Sequence, residues 1–183
     1  MHVVGSIIAR LGSKRLTYKN ILPFDGMPML GLGIQKLRAA SKVDEIVVST
    51  ESELIARIAH DFGVLALKRP AELAQDNIPS VPVFQHIIEH VPCDVHVNFN
   101  INFPLCDPQV IDRAIDLAFK HGESLSQPVA VWAQTKQCLQ SYGDPWNITA
   151  VPFEDERAGQ IDVHTEADLL QVYRMKQGNL KGW

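Results

Sequence analysis

Short apolar, β-branched runs alternate along the chain with stretches of helical period, and that alternation constrains the fold more than any single motif. The runs are "HVVGSII" (2–8), "EIVVST" (45–50), "VLAL" (64–67), "DVHVNF" (94–99) and "PVAVWA" (128–133). Between them, 29–42 and 52–62 read as amphipathic helices, the second capped by Ser52 with Leu54, Ile55, Ile58 and Phe62 on one stripe. A third spans 79–91 with Pro79 and Pro82 in its first turn, Asp107-Pro108 opens a fourth that stops at Gly122, and a fifth runs from a Thr165 cap to Gly178. Strands alternating with helices imply right-handed crossovers and a mainly parallel sheet covered on both faces, a three-layer α/β/α, Rossmann-like domain. At 183 residues the chain suffices for one such domain over 1–183. Residues 134–160, with Gly143, Asp144 and Pro145 as a turn signal, read as a short irregular excursion. Ligands of such sheets bind beyond the carboxyl ends of the strands, which directs attention to the loops after residues 8, 50, 67, 99 and 163.

The first of those loops is unusually basic. Arg10, Lys14, Arg15 and Lys19 fall within ten positions of a chain whose net charge is −4. Gly12 lets the backbone approach a ligand, Ser13 adds a hydroxyl donor, and successive amides in such a turn form an anion-binding concavity. The loop is not a Walker motif, because GxxxxGK[ST] is absent. Its bland alternative is a solvated basic loop. The overall charge gives no reason to expect nucleic acid as a partner, and no apolar run is long enough for a membrane span. The start of the chain reads as a buried strand and not as a signal peptide, and the expected location is the cytoplasm. Cys93, Cys106 and Cys138 are too scattered for a disulfide framework or a cysteine zinc site, and Cys106 reads as a small buried hydrophobe. "HIIEH" (86–90) has metal-ligand spacing on a helix but no partner ligand, so His86 and His90 read as structural or solvent-facing. "GLG" (31–33) reads as helix packing, and Trp132, Trp146 and Trp183 are too far apart for a stacking platform.

The order of residues in "IIARLGSKRLTYKN" resembles the signature loop, ARxGSKxxxxKN, of the CMP-sugar synthetases, cytidylyltransferases that activate sialic acid and related acidic sugars. Ala9, Arg10, Gly12 and Ser13 match in register, followed by Lys14, Lys19 and Asn20. The similarity continues through "LPFDGMPML", "VDEIVVSTESELIARIAHDFG", "KRPAELAQDNIPS", "NFPLCDPQVIDRAI" and "IDVHTEADL", most of the chain in one order. What the resemblance implies is a nucleotidyltransferase fold in which the anomeric hydroxyl of an acidic sugar attacks the α-phosphate of CTP and releases pyrophosphate. Arg10 and Lys14 would hold the triphosphate and neutralise the leaving pyrophosphate, with Lys19 near the α-phosphate. Ala9, Gly12, Ser13, Asn20, Arg69 and Asn100 would seat the nucleotide, and Ser80 falls where the family reads cytosine. Arg15 occupies a position that the family leaves variable and has a supporting part.

Two stretches depart from the family pattern, and both concern the metal. Asn100 and Asn102 of "FNINFPL" stand where relatives have Gln and, in the 3-deoxy-octulosonate branch, Asp. In "DVHT" Asp162 is kept and His164 replaces a second Asp. The resemblance implies Mg²⁺; a neutral imidazole suits Mn²⁺, Co²⁺ or Zn²⁺ better, whereas Mg²⁺ favours oxygen ligands. With Asp162, His164 and Asn102 as the metal candidates, three readings follow: an enzyme with altered metal preference, an enzyme whose metal arrives with CTP, or a CTP- or CMP-binding fold with little catalysis. Segment 134–160 is also shorter than the family's dimerisation insert, so a homodimer through it is expected to be weakened or altered.

Overall fold

A computed structural model of the chain describes residues 1–182; Trp183 lies outside them. The chain opens with strand β1 (Val3–Ile8), then a 3-10 turn (Lys19–Ile21) and a tiny hairpin, β2 (Pro23–Phe24) with β3 (Met27–Pro28), leading into helix α1 (Met29–Ala39). Next come β4 (Glu45–Thr50), α2 (Glu53–Asp61), β5 (Leu65–Lys68), α3 (Ser80–His90), β6 (Val95–Phe99) and α4 (Pro108–His121). The remainder is β7 (Glu123–Gln127), β8 (Val131–Thr135), α5 (Lys136–Gln140), β9 (Pro152–Glu154) and α6 (Glu166–Gln177). Seven strands form one sheet in the order β5-β4-β1-β6-β8-β7-β9, and only β8 runs against its neighbours. The expected mainly parallel sheet is therefore present.

Local chemistry explains the helix ends. Ser52 accepts a hydrogen bond from the Ile55 amide at the start of α2, Asp107 from the Gln109 amide at the start of α4, and Thr165 forms a reciprocal capping box with Asp168 on α6. Gly122 ends α4 at φ 89°, in the region glycine favours. One face of the sheet packs on α1, α2 and α4 through residues such as Ile34, Ile55 and Ile111; the other packs on α3 and α5 through Phe84, Ile87 and Leu139. A third cluster, Phe24, Met29, Ile161, Val163 and Val172, seats α6 on the hairpin side.

Four expectations need correction. Leu54 is 48% exposed, and the α2 stripe runs through Ile55, Ile58, Ala59 and Phe62 instead. The strand expected at 128–133 begins only at Val131, after a turn that follows a whole strand, β7. That strand reads as polar, "ESLSQ", because its buried Ser124 and Ser126 hydroxyls are satisfied internally by the Ala114 and Pro128 carbonyls. Segment 134–160 is part of the sheet domain, supplying α5 and the edge strand β9. Residues 161–164 form no strand: the Val163 amide donates to the Asn102 carbonyl at 2.8 Å, and the segment crosses the sheet's end. The GLG reading holds, since a Cβ on Gly31 would meet the Phe62 ring at 2.3 Å and one on Gly33 would meet Ile101 at 2.4 Å.

Candidate active site

The loop after β1 is tied down at both ends. Arg69, 4% exposed, donates from one guanidinium nitrogen to the Ala9 carbonyl at 2.9 Å and to Glu51 at 3.1 Å, while the other oxygen of Glu51 accepts from the Leu11 amide. Asn20 closes the far end by donating to the Arg10 carbonyl at 2.7 Å. Asn20 and Arg69 thus both border the cleft, but their hydrogen bonds shape the loop. Ala9 is fully buried beneath it. Tyr18 takes left-handed backbone (φ 56°), and the chain then turns Lys19 into the interior, where its ammonium donates to the Val163 carbonyl at 3.2 Å. Burial brings the Lys19 ammonium down to about 8, with Asp162 opposing the shift and Arg15 and Arg10 adding to it.

The loop borders a cleft of about 630 Å³ at the carboxyl ends of β1 and β6. Arg10, Lys14, Arg15 and Lys19 line one side together with Gly12 and Ser13. Ser80, at the start of α3, stands opposite above an apolar wall of Ile78, Val83 and Phe84. Asn98, Asn100 and Asn102 follow from the end of β6, and Val129, Trp132 and Ile148 complete the far wall. Asn100 fixes its corner by accepting from the Asn102 amide at 3.1 Å and donating to the Val129 carbonyl at 3.3 Å. His164 also lines the cleft; Asp162 stands behind it, 2.9 Å from the ring. Every site residue expected from the sequence is in this region, Ala9 and Asp162 as support behind the cleft lining.

Sequence reasoning missed Asp76. Its carboxylate pairs with both Arg10 and Lys14, and these two cations hold it below the usual carboxylate range. The signal was available in "AQDNIPS", an acid in the loop facing the basic one, but its partners are more than sixty positions upstream. Arg15 also has a partner that the sequence did not suggest. Its guanidinium lies 2.7 Å from Nδ1 of His164, whose Nε2 lies 2.9 Å from the Asp162 carboxylate. With both ring nitrogens engaged and Asn102 offering an amide, the metal candidates present one carboxylate with one of its oxygens already paired, a poor fit to an oxygen cage for Mg²⁺. No group of three or more His, Cys, Asp or Glu side chains suited to a metal occurs among the described residues, His86 and His90 included. Burial pushes the Cys106 thiol up to about 12, in keeping with an inert apolar role.

Known proteins resemble this chain in sequence and in fold. A family model described as Cytidylyltransferase matches residues 4–149. An N-acylneuraminate cytidylyltransferase A from Danio rerio is 31% identical over 99% of this chain and 44% of its own length. A 3-deoxy-manno-octulosonate cytidylyltransferase from a Nitratiruptor species is 29% identical over 83% of this chain and 62% of its own length. The chain thus spans less than two thirds of these curated relatives. Among solved structures, a CMP:2-keto-3-deoxy-manno-octonic acid synthetase complexed with CTP superposes with a TM-score of 0.80 at 16% identity, covering 96% of this chain and 98% of that one. A Mycobacterium tuberculosis protein in complex with manganese superposes with a TM-score of 0.65 at 15% identity, covering 94% of this chain and 98% of that one.

Proposed function

This chain belongs to the cytidylyltransferase family, and on that premise we propose that it transfers CMP from CTP to an acidic sugar, of the sialic acid or 3-deoxy-octulosonate kind, with release of pyrophosphate. The observation that carries the proposal is the convergence of Arg10, Lys14, Arg15 and Lys19 on one cleft facing Ser80 and the asparagines after β6. The sugar hydroxyl forms a bond to the α-phosphorus as the bridge to the β-phosphate breaks. Charge then builds on the departing pyrophosphate, where Arg10 and Lys14 stand; Lys19 serves the α-phosphate, and Ser80 the base. Such a reaction depends on positioning and on fixed positive charge more than on covalent chemistry by the protein. The loop ties made by Arg69, Glu51 and Asn20 supply that positioning.

Mg²⁺, or Mn²⁺ or another divalent ion, belongs to the reaction the resemblance implies, but the protein's own donors do not cage one, and no step is assigned to it. We place the reaction in the cytoplasm, with CTP and the sugar as partners and neither nucleic acid nor membrane involved. Homodimerisation through 134–160 is weak or altered in this proposal, because the segment is short and its Tyr142 and Thr149 hydroxyls donate to Glu123 of the same chain. A pyrophosphate-release assay with CTP, a panel of acidic sugars and Mg²⁺, Mn²⁺ or Co²⁺ tests the proposal; the expected outcome is release that needs both CTP and one sugar. The engaged state of His164 favours a second reading, a CTP- or CMP-binding protein with little catalysis. Nucleotide binding with no release in any combination would select that reading.

A further inference from the structure

The segment 162–164 carries an imidazole where the family resemblance implies a second carboxylate, and the partners of that ring select its tautomer. Arg15 Nη2 can only donate, so His164 Nδ1, 2.7 Å away, carries the lone pair. The ring hydrogen then sits on Nε2 and points at the Asp162 carboxylate, which accepts it at 2.9 Å. A divalent cation held by this segment would need the Asp162 oxygen and the imidazole lone pair. One Asp162 oxygen accepts from the ring N–H and the lone pair faces a guanidinium, so the segment has a single unpaired carboxylate oxygen left for a cation. The ring engages Arg15 of the loop after β1, which is exposed and lines the same space as Arg10, Lys14, Lys19 and His164 itself. A guanidinium has five N–H donors and stays charged at every working pH; after the bond to His164, others remain for phosphate oxygens.

We propose that the Asp162–His164–Arg15 chain sets a guanidinium where a protein-held divalent cation would otherwise sit, so that the site binds the triphosphate of CTP without a divalent cation. The inference rests on the reading of the cleft as a CTP site. Asp162 and His164 are positioning residues here, and Arg15 is the one that touches the ligand.

Calorimetric titration of the whole chain with CTP, once in EDTA and once in excess Mg²⁺, tests it. The expected dissociation constants agree within about threefold, since the cation that matters is covalently part of the protein. Arg15→Ala should weaken binding in EDTA by about tenfold or more, the loss of a charge-assisted contact. His164→Ala should do likewise by releasing Arg15. His164→Gln, whose Oε1 accepts from Arg15 while its Nε2 donates to Asp162, should retain cation-independent binding, a rescue that generic loosening of the segment would not give. His164→Asp should make binding depend on Mg²⁺. Wild-type binding that vanishes in EDTA and returns with Mg²⁺ overturns the inference and leaves the CTP reading standing, as does a His164→Asp protein still indifferent to Mg²⁺. No CTP binding in either buffer overturns both.

Discussion

A Cβ placed on Gly12 would meet no protein atom within 4 Å, so nothing in the folded chain demands glycine there. In the proposed CTP site the open space there is what the phosphates would approach. Gly12→Ala should therefore leave the melting temperature unchanged and weaken CTP binding by about tenfold, measured by calorimetry and thermal denaturation side by side. Equal loss of stability and affinity would assign the glycine to folding. Asp76 allows the opposite experiment. Its carboxylate occupies Arg10 and Lys14 and competes with an incoming triphosphate, so Asp76→Ala should tighten CTP binding about two- to fivefold at low salt, and the gain should shrink as salt screens the pair. Lys14→Ala should weaken binding and slow pyrophosphate release by about tenfold. The cations of this site were legible because one loop carries them all. The roles of Asp76, Glu51 and His164 were not, since each depends on a partner dozens of positions away. For the same reason the loop ties made by Arg69 and Asn20, which the resemblance casts as nucleotide-seating groups and which line the cleft, could not be read in sequence.

At the level of elements, the close approach of α1 to the corner after β6 makes the site sensitive to a position outside it. Gly33 faces Ile101, the residue between the two cleft asparagines, and an added methyl at 2.4 Å must displace it. Overpacking of this kind costs about 1–3 kcal/mol. Gly33→Ala should lower the melting temperature and also weaken CTP binding, because Asn100 and Asn102 move with Ile101; a stability loss with unchanged affinity would show that the corner relaxes independently. Helices were read well from sequence wherever a cap and a stop bracket them, as in α2, α4 and α6. Strand β7 was missed because its inward positions are serines, whose burial depends on carbonyl acceptors that no periodicity reveals. Residues 161–164 were over-read for the converse reason: Val163 is buried by packing beside α6 and anchored to Asn102, with no strand partner at all.

For the molecule as a whole, the two faces of the sheet differ. The face under α1, α2 and α4 is mainly apolar, with Ser124 and Ser126 of β7 buried on it, while the face under α3 carries Ser6, Ser49, His96 and Gln134 in its interior. His96 is fully buried in β6, 2.8 Å from the Ser6 hydroxyl and 4.7 Å from the Phe84 ring centre. Burial lowers its imidazole to about 4 from the ordinary value of 6.5. Above pH 6.5 the group is neutral in both folded and unfolded chains and has no effect on their balance. As the pH falls from about 6.5 towards 4, the unfolded chain takes up a proton that the folded one refuses. Stability should therefore decline over that window with a slope of up to ~1.4 kcal/mol per pH unit and level off below it as far as this residue is concerned. Asp76 and Asp168, held below their ordinary range by cations and amides, have the bulk of their loss at still lower pH, which separates the two effects. His86, also lowered by burial, acts in the same direction as His96. Urea denaturation at several pH values between 7.5 and 4.5, on the wild type and on His96→Gln, resolves the share of His96: the variant should start less stable at pH 7.5 and lose less on acidification. Parallel decline of the two proteins would move the proton uptake to another group and leave His96 a packing residue alone.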